Sequence, residues 1–360
     1  MTPLEVRLAL NNMADPAALS AYLESIIGRA VDLGIDGIYE PPDLDEARVI
    51  ADNLIEQAYL YLRDDVPFFK SVTIPMSGGA DSTLVASILR EAADLLLARD
   101  GRKVVLVGFA LPCKLEASAD EYTNKGLLAA RLYCDEVAEV NVYEAWAAAM
   151  NSFFQAGQGS FTFESGKSLA DLQEDMGLEP LRYLDTDQRS WKLTSGNTAA
   201  RMRMIFSYGV AALLGGAQVS TDNLTEGLMG FWTLCGDEGT FKLIQGLLKG
   251  LEQPQVMHVL DIPDIFIVQK PTDGLGVGDG DVAQLYGDLY TGEETYVDVD
   301  VVILRMFHGW SHPDPRNLDV IREDHPIWRQ FQNTQFKRDP FCLRRSDLGL
   351  KNLPNITFAS

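Results

Sequence analysis

Apolar and polar positions divide the chain into stretches with two different periods. Leu19, Tyr22, Leu23, Ile26 and Ile27 recur at helical spacing, as do Ile50, Leu54, Ala58 and Leu62, and the break from Gly34 to Pro42 separates the two helices they predict. A continuous apolar run then begins at Val72-Thr73-Ile74-Pro75-Met76, which suits a strand buried on both faces, and a helix pattern covers 82–98. Beyond Gly101, the run Val104 to Ala110 predicts a second strand, closed by Leu111-Pro112. Residues 119–133 read as helix, Glu136 to Val142 as a short strand, Thr198 to Leu213 as helix and Ala217 to Ser220 as strand. Strands alternating with helices predict an α/β fold, a doubly wound parallel sheet flanked by helices. Residues 1–66 form a helical N-terminal arm that packs on this core or on a partner subunit.

Three stretches fit the alternation less well. Residues 155–190 are polar and carry Gly157, Gly159 and Gly166, which suits a mobile lid or an ordinary surface loop. Residues 264–295 are rich in glycine and aspartate and read as a mobile loop. Residues 297–307, beginning Val-Asp-Val-Asp-Val-Val, fit a strand start or a helix throughout. There is no repeat and no clean linker, so residues 67–345 read as one domain, with 346–360 as a tail.

Composition narrows the partners. A net charge of −22 disfavours nucleic acid and anionic membranes, because phosphate contacts need clustered Lys and Arg. It leaves a nucleotide open, which needs only a local positive pocket. No apolar run approaches a membrane span of about 20 residues, and no secretory signal stands at the N-terminus, so a cytoplasmic protein is expected. Cys113, Cys134, Cys235 and Cys342 lack metal-ligand spacing and suit reduced thiols. His308 and His312 fall in a stretch with Trp310, Pro313 and Pro315 that reads as loop.

Chemistry concentrates first in Ser77-Gly78-Gly79-Ala80-Asp81-Ser82, between the first strand and its helix. Paired glycines let the backbone approach an anion, and the first helical N–H groups, unpaired and at the positive end of the helix dipole, point at it. No lysine lies in the loop, so it is not the GxxxxGK loop that grips a terminal phosphate. Asp81 beside a phosphate implies a divalent cation between them. The bland alternative is a glycine turn between strand and helix.

Two further segments follow. Gly196-Asn197-Thr198-Ala199-Ala200-Arg201-Met202-Arg203-Met204 opens a helix on which Arg201 and Arg203 point to different faces. Beyond the strand at 217–220 come Thr221, Glu226, Thr233 and Asp237, oxygen donors of the kind Mg²⁺ prefers. Read singly, these are solvated helix arginines and a polar loop.

Together, in this order, the three segments resemble the NAD synthetase family, within the superfamily that splits ATP between its α and β phosphates. Lys249, the segment Lys270 to Leu275 and Lys337-Arg338-Asp339-Pro340 extend the resemblance across residues 50–345. It implies ATP on Ser77, Gly78, Gly79, Ala80, Asp81 and Ser82, with Thr221, Lys249 and Thr272 as further contacts. It implies Mg²⁺ on Asp81 and Glu226, and nicotinic acid adenine dinucleotide on Asn197, Arg201, Asp237 and Lys337. Asp81, Thr233 and Lys337 are the implied catalytic residues. The implied reaction adenylates the nicotinate carboxylate, and ammonia displaces AMP to give NAD. About 70 residues precede the loop, too few for the amidase domain of glutamine-dependent members, so free ammonia or ammonia from a separate partner is the expected nitrogen donor, and a homodimer is expected. Ala110, Leu234, Cys235 and Phe336 depart from the family pattern, and Asp281-Val282 is the nearest match to its Asp-Glu pair. These departures leave two alternatives, a related ligase for another carboxylate and an inactive nucleotide-binding relative.

Overall fold

The computed structural model describes residues 3–11, 15–114, 121–159, 162–182, 184, 185, 187–268, 280–311 and 325–338. Three helices lead in: α1 (Pro3–Asn11), α2 (Pro16–Asp32) and α3 (Leu44–Leu60), the last widening into a π-helical turn at Tyr61–Asp65. Asp15 caps α2, and Asp43 with Glu46 forms a capping box on α3, so each restart after a break has a side chain to satisfy its first N–H groups.

The core alternates strand and helix: β1 (Ser71–Pro75), α4 (Ala80–Asp100), β2 (Val105–Ala110), α5 (Glu121–Tyr133), β3 (Glu136–Glu139) and α6 (Tyr143–Gly157). After α7 (Leu169–Asp175) come the long α8 (Arg189–Leu213), β4 (Ala217–Ser220), α9 (Leu224–Met229) and β5 (Phe241–Lys242). The five strands are parallel, in the order β3-β2-β1-β4-β5. Alternation along β2 explains the two layers. Leu106 faces the core shared with α3, α4 and α5, while Val107 and Phe109 pack with Met202, Phe206 and Val210 of α8. Gly108 lies under α5, where a Cβ would come 2.8 Å from both Ala130 and Cys134, so glycine lets helix and sheet approach closely. The helical arm joins the first layer through Val6, Leu10, Leu19, Ala47 and Ala51.

Beyond the sheet lie α10 (Gln253–Val259), α11 (Asp264–Ile267), α12 (Asp281–Tyr286), α13 (Tyr296–Ser311), α14 (Pro326–Asn333) and α15 (Gln335–Arg338). The undecided 297–307 stretch is thus helical. His308, expected in a loop, belongs to the same helix; His312 is outside the described residues. Helix α8 begins well before Thr198, because Trp191 in its first turn already packs inward. The strand expected at Glu136 to Val142 ends at Glu139. Short helices occupy both described ends of 264–295, and α7 lies within 155–190. No described helix is long and apolar enough to cross a membrane.

Chain order outward from β1 goes to β2 and β3, then reverses across β1 to β4. At such a reversal the loops leaving adjacent strands turn to opposite faces of the sheet and open a crevice at their carboxyl ends. The loops after β1 and β4 are the ones that carry the candidate residues.

Candidate functional site

After β1 the chain turns through Ser77 and Gly78 into α4. Gly78 has φ +79°, and a Cβ there would lie 2.5 Å from the Gly126 nitrogen; a Cβ at Gly126 would in turn lie 2.4 Å from the Met76 carbonyl oxygen. The turn and α5 are therefore packed backbone to backbone. Within the loop, Gly79 N–H donates to Ser77 Oγ at 3.2 Å, and the Ser77 and Ser82 hydroxyls lie 3.1 Å apart. The Thr83 hydroxyl donates to the Gly79 carbonyl at 2.8 Å. Gly79 is the N-cap of α4 and offers no side chain to the first helical N–H groups, which leaves that end of the helix suited to an anion.

Asp81, in the first turn of α4, meets residues from beyond β4 and β5. Asn223 Nδ2 donates to its Oδ1 at 2.9 Å, and Lys249 Nζ lies 3.0 Å from its Oδ2. The same ammonium is 2.6 Å from Glu226 Oε1. Asn223 and Glu226 form a capping box that opens α9, which fixes Glu226 relative to Asn223 and so to Asp81. Burial alone would lower the Lys249 ammonium; Asp81 and Glu226 outweigh it and hold it well above its ordinary value. Burial pushes the Glu226 carboxyl up, against the pull of Lys249. Asp222, buried beside Ser220, is pushed up to about 6.

Behind Lys249 stands α13. Asp300, fully buried, accepts from Thr225 Oγ1 at 2.5 Å and from the N–H groups of Gly250 and Leu251 at 2.7 and 3.0 Å. The Tyr296 ring centroid is 4.4 Å from Lys249 Nζ, and its hydroxyl donates to Asp281 Oδ2 at 2.9 Å.

A second group gathers at the start of the 230s loop. Thr233 Oγ1 lies 3.0 Å from Asn197 Oδ1, and Thr233 N–H donates to Asp237 Oδ2 at 2.6 Å. Arg201 Nε donates to the Leu234 carbonyl at 3.2 Å, and Arg203 Nε to the Leu111 carbonyl at 2.9 Å. Arg203 therefore braces the end of β2, while Arg201 is the exposed arginine at the site. A cleft of about 260 Å³ runs past Asn197 and Arg201 to Phe153, Leu169 and Leu181. Burial raises the Asp237 carboxyl, opposed by its bond from Thr233.

The structure thus joins the Ser77–Ser82 loop, Asp81, Glu226 and Lys249 in one group, and Asn197, Arg201, Thr233 and Asp237 in another. The segment from Ser220 to Asp237 runs between them, with Thr221 half-buried directly after β4. Lys337 comes near the second group by another route: its ammonium donates to the carbonyls of Gly230 and Trp232 and sits over the Trp232 ring, and burial lowers it. In this position it braces the loop. Thr272 lies outside the described residues. Sequence reasoning missed Asn223, although the Asn-x-x-Glu spacing of a capping box signals it, and it missed Tyr296 and Asp300, which no local pattern marks.

Asp81 and Glu226 already converge on one cation, the Lys249 ammonium, and their oxygens are of the kind a hard divalent ion takes. Among the described residues no cluster of three or more His, Cys, Asp or Glu side chains could hold a metal alone. Mg²⁺ commonly uses one or two carboxylates together with substrate phosphates and water, so the pair fits a cation that arrives with a nucleotide.

A protein-family model described as NAD synthase matches residues 54–298. The NH(3)-dependent NAD(+) synthetase of Shewanella piezotolerans is 28% identical over 213 residues, covering 58% of this chain and 67% of that protein. Its counterpart from Pseudomonas aeruginosa strain LESB58 is 26% identical over 307 residues, covering 83% and 93%. The chain spans between 61 and 67% of the length of the first curated relatives it matches. Among solved structures, an NMN synthetase from Francisella tularensis aligns with a TM-score of 0.55 at 19% identity, covering 86% of this chain and 99% of that one, a likeness of fold.

Proposed function

The chain belongs to the NAD synthase family, and from that premise we propose that it amidates nicotinic acid adenine dinucleotide with ammonia at the expense of ATP, giving NAD, AMP and pyrophosphate. The observation that carries this reading is the meeting of Asp81, Asn223, Glu226 and Lys249 beside the Ser77–Ser82 loop, at the reversal of strand order.

The chemistry follows from charge. A carboxylate resists amines until one oxygen becomes a good leaving group. The nicotinate oxygen attacks the α-phosphate of ATP, the bond to the β-phosphate breaks, and pyrophosphate leaves with the electron pair. The loop N–H groups and the Ser77 and Ser82 hydroxyls receive phosphate oxygens, and Lys249 meets the phosphates with its ammonium from its place beside Asp81 and Glu226. Asp81 and Glu226 would hold Mg²⁺, which supplies charge neutralisation for the departing pyrophosphate. Asn197, Arg201, Thr233 and Asp237 orient the dinucleotide so that its carboxylate faces the α-phosphate, a contribution of position rather than of covalent chemistry. Ammonia then attacks the acyl-adenylate carbonyl, AMP leaves, and the amide loses its extra proton to solvent. Thr221 and Thr272 are further nucleotide contacts in this reading, and Lys337 completes the substrate side once it leaves the loop carbonyls. Residues 155–190 act as a lid over the cleft beside Asn197 and Arg201.

A homodimer belongs to the same reading. Helix α8 leaves Ile205 and Tyr208 exposed on one side, apolar surface that a second copy would cover. We place the protein in the cytoplasm, in keeping with free thiols at Cys113, Cys134 and Cys235.

The test is one reaction. Purified protein with ATP, Mg²⁺, ammonium and the dinucleotide acid is expected to form NAD and AMP together, read by mass. AMP released only with another carboxylate, the mononucleotide included, would replace this substrate; ATP bound without AMP under any acceptor would leave a binding protein.

A further inference from the structure

We propose that Asp300 and Tyr296 of α13, with Thr225, are positioning residues for Lys249, setting where its ammonium stands before a nucleotide arrives. This rests on the reading of Lys249 as a phosphate contact.

Tyr296 and Asp300 are four residues apart and share a face of α13. That face meets the chain at Lys249 through three kinds of contact. Asp300 accepts from the N–H groups of Gly250 and Leu251, the two residues after Lys249. It also accepts from the hydroxyl of Thr225, the residue before Glu226. Thr225 Oγ1 closes the ring by accepting from Lys249 N–H at 3.0 Å. One buried carboxylate therefore ties the segment bearing Lys249 to the segment bearing Glu226. Backbone contact reinforces the tie: a Cβ on Gly250 would lie 2.4 Å from Val297 N, so only glycine lets the segment sit against the start of α13.

Tyr296 acts on the other end of the lysine. Its ring flanks the ammonium at 4.4 Å, and its hydroxyl is fixed by Asp281. A lysine stem has four flexible carbons and costs rotamer entropy to order. Fixing the backbone beneath it and a ring beside it meets that cost during folding, so binding a nucleotide does not. Asp300 and Tyr296 are both buried behind the lysine. Their influence passes through Lys249.

The test compares Thr225→Val, Asp300→Asn, Tyr296→Phe and Tyr296→Leu, each alone and combined with Lys249→Met. ATP affinity is measured by calorimetry, melting temperature is recorded, and KM is determined separately for ATP, dinucleotide and ammonium. Thr225→Val, nearly isosteric, is expected to weaken ATP about tenfold with KM for ammonium unmoved. Tyr296→Leu is expected to weaken ATP more than Tyr296→Phe, which keeps the ring. In the Lys249→Met background these changes are expected to have no further effect on ATP. Equal losses for every substrate alongside a lowered melting temperature would reduce α13 to a structural support and overturn the proposal. So would additive effects in the Lys249→Met background. If Lys249→Met alone leaves ATP affinity intact, the reading of the lysine as a phosphate contact fails, and this proposal falls with it. Should Asp300→Asn not fold, Thr225→Val and the two Tyr296 variants decide the matter.

Discussion

Lys249 Nζ stands 3.0 Å from Asp81 Oδ2 and links the segment after β5 to the first turn of α4. With Glu226 on its other side, the lysine keeps two carboxylates from repelling each other at the mouth of the loop. Lys249→Met removes this counter-charge from a largely buried pair. It is expected to lower stability at pH 7 by about 3 kcal/mol, read by urea unfolding. Adding Glu226→Gln is expected to restore part of that stability without restoring ATP affinity. A Lys249→Met protein as stable as the parent would mean that the carboxylates do not depend on the lysine.

Asp81→Asn keeps an acceptor for Asn223 and removes one negative charge. Turnover is expected to fall by at least about a hundredfold, as for loss of a group stabilising developing charge. The melting curve should stay near that of the parent. Unchanged turnover would remove Asp81 from the set that holds Mg²⁺.

Arg201 is exposed and bonds only to the Leu234 carbonyl among the contacts seen here, so its guanidinium retains donors for a ligand. Arg201→Ala is expected to raise KM for the dinucleotide by roughly tenfold or more, the size of one lost charged hydrogen bond, and to leave KM for ATP within about twofold. A rise confined to ATP would move this arginine to the other half of the site. Because the Leu234 contact is made by a carbonyl, the departure at that position from the family pattern does not alter it.

Asp300 gives a stability-linked pH dependence. Burial pushes its carboxyl up to about 7, against the pull of Thr225, Gly250 and Leu251, whereas an unfolded aspartate titrates near about 3.9. The folded state therefore holds this proton more tightly than the unfolded state. The resulting stabilisation is present in full below about pH 4 and is lost as pH rises through about 7. Asp300→Asn is expected to flatten this limb of stability against pH, followed by thermal melts from pH 4 to 8. A parent limb unchanged by the substitution would assign it to other groups.

Cys235 is exposed, and Cys134 is buried with its thiol pushed up to about 12. Iodoacetamide is expected to label Cys235 in the native protein well before Cys134, mapped by peptide mass. Label at Cys235, two residues from Asp237, should lower activity, and the dinucleotide should slow it. Cys235→Ser is the control that separates this effect from labelling elsewhere. Equal labelling rates with and without dinucleotide would place the substrate away from this turn.

What the sequence disclosed depended on range. The loop after β1 was legible because its signals are adjacent: an apolar run, two glycines and a helix start. Val72 and Ile74 are fully buried, as a continuous apolar run implies. The 297–307 stretch was undecidable because its aspartates are buried as deeply as its valines. Asp298 pairs with Arg29 of α2, and Asp300 accepts from Thr225, so polarity along the stretch does not track exposure. Strand β5 has two residues and leaves no periodic trace. The role of Lys249 was suggested only by family resemblance, since its partners come from three distant segments. The start of helix α8 carries no clear signal, because the residues around Arg189 are polar, although Trp191 packs inward.

The segment from α14 to α15 holds the carbonyls that α9 leaves unpaired. Arg338 reaches Leu228, Gln330 and Thr334 reach Met229, and Lys337 reaches Gly230 and Trp232. Gly230 makes the fit possible, because a Cβ there would lie 2.3 Å from the Thr334 Cβ. On the ribosome this orders the assembly of the site in time. The nucleotide side and its α13 support are encoded by residue 300, but the turn leading to Thr233 and Asp237 gains its last fastenings only once residue 338 has emerged. A nascent chain can therefore assemble the group around Lys249 before the turn that carries Thr233 and Asp237 is fastened.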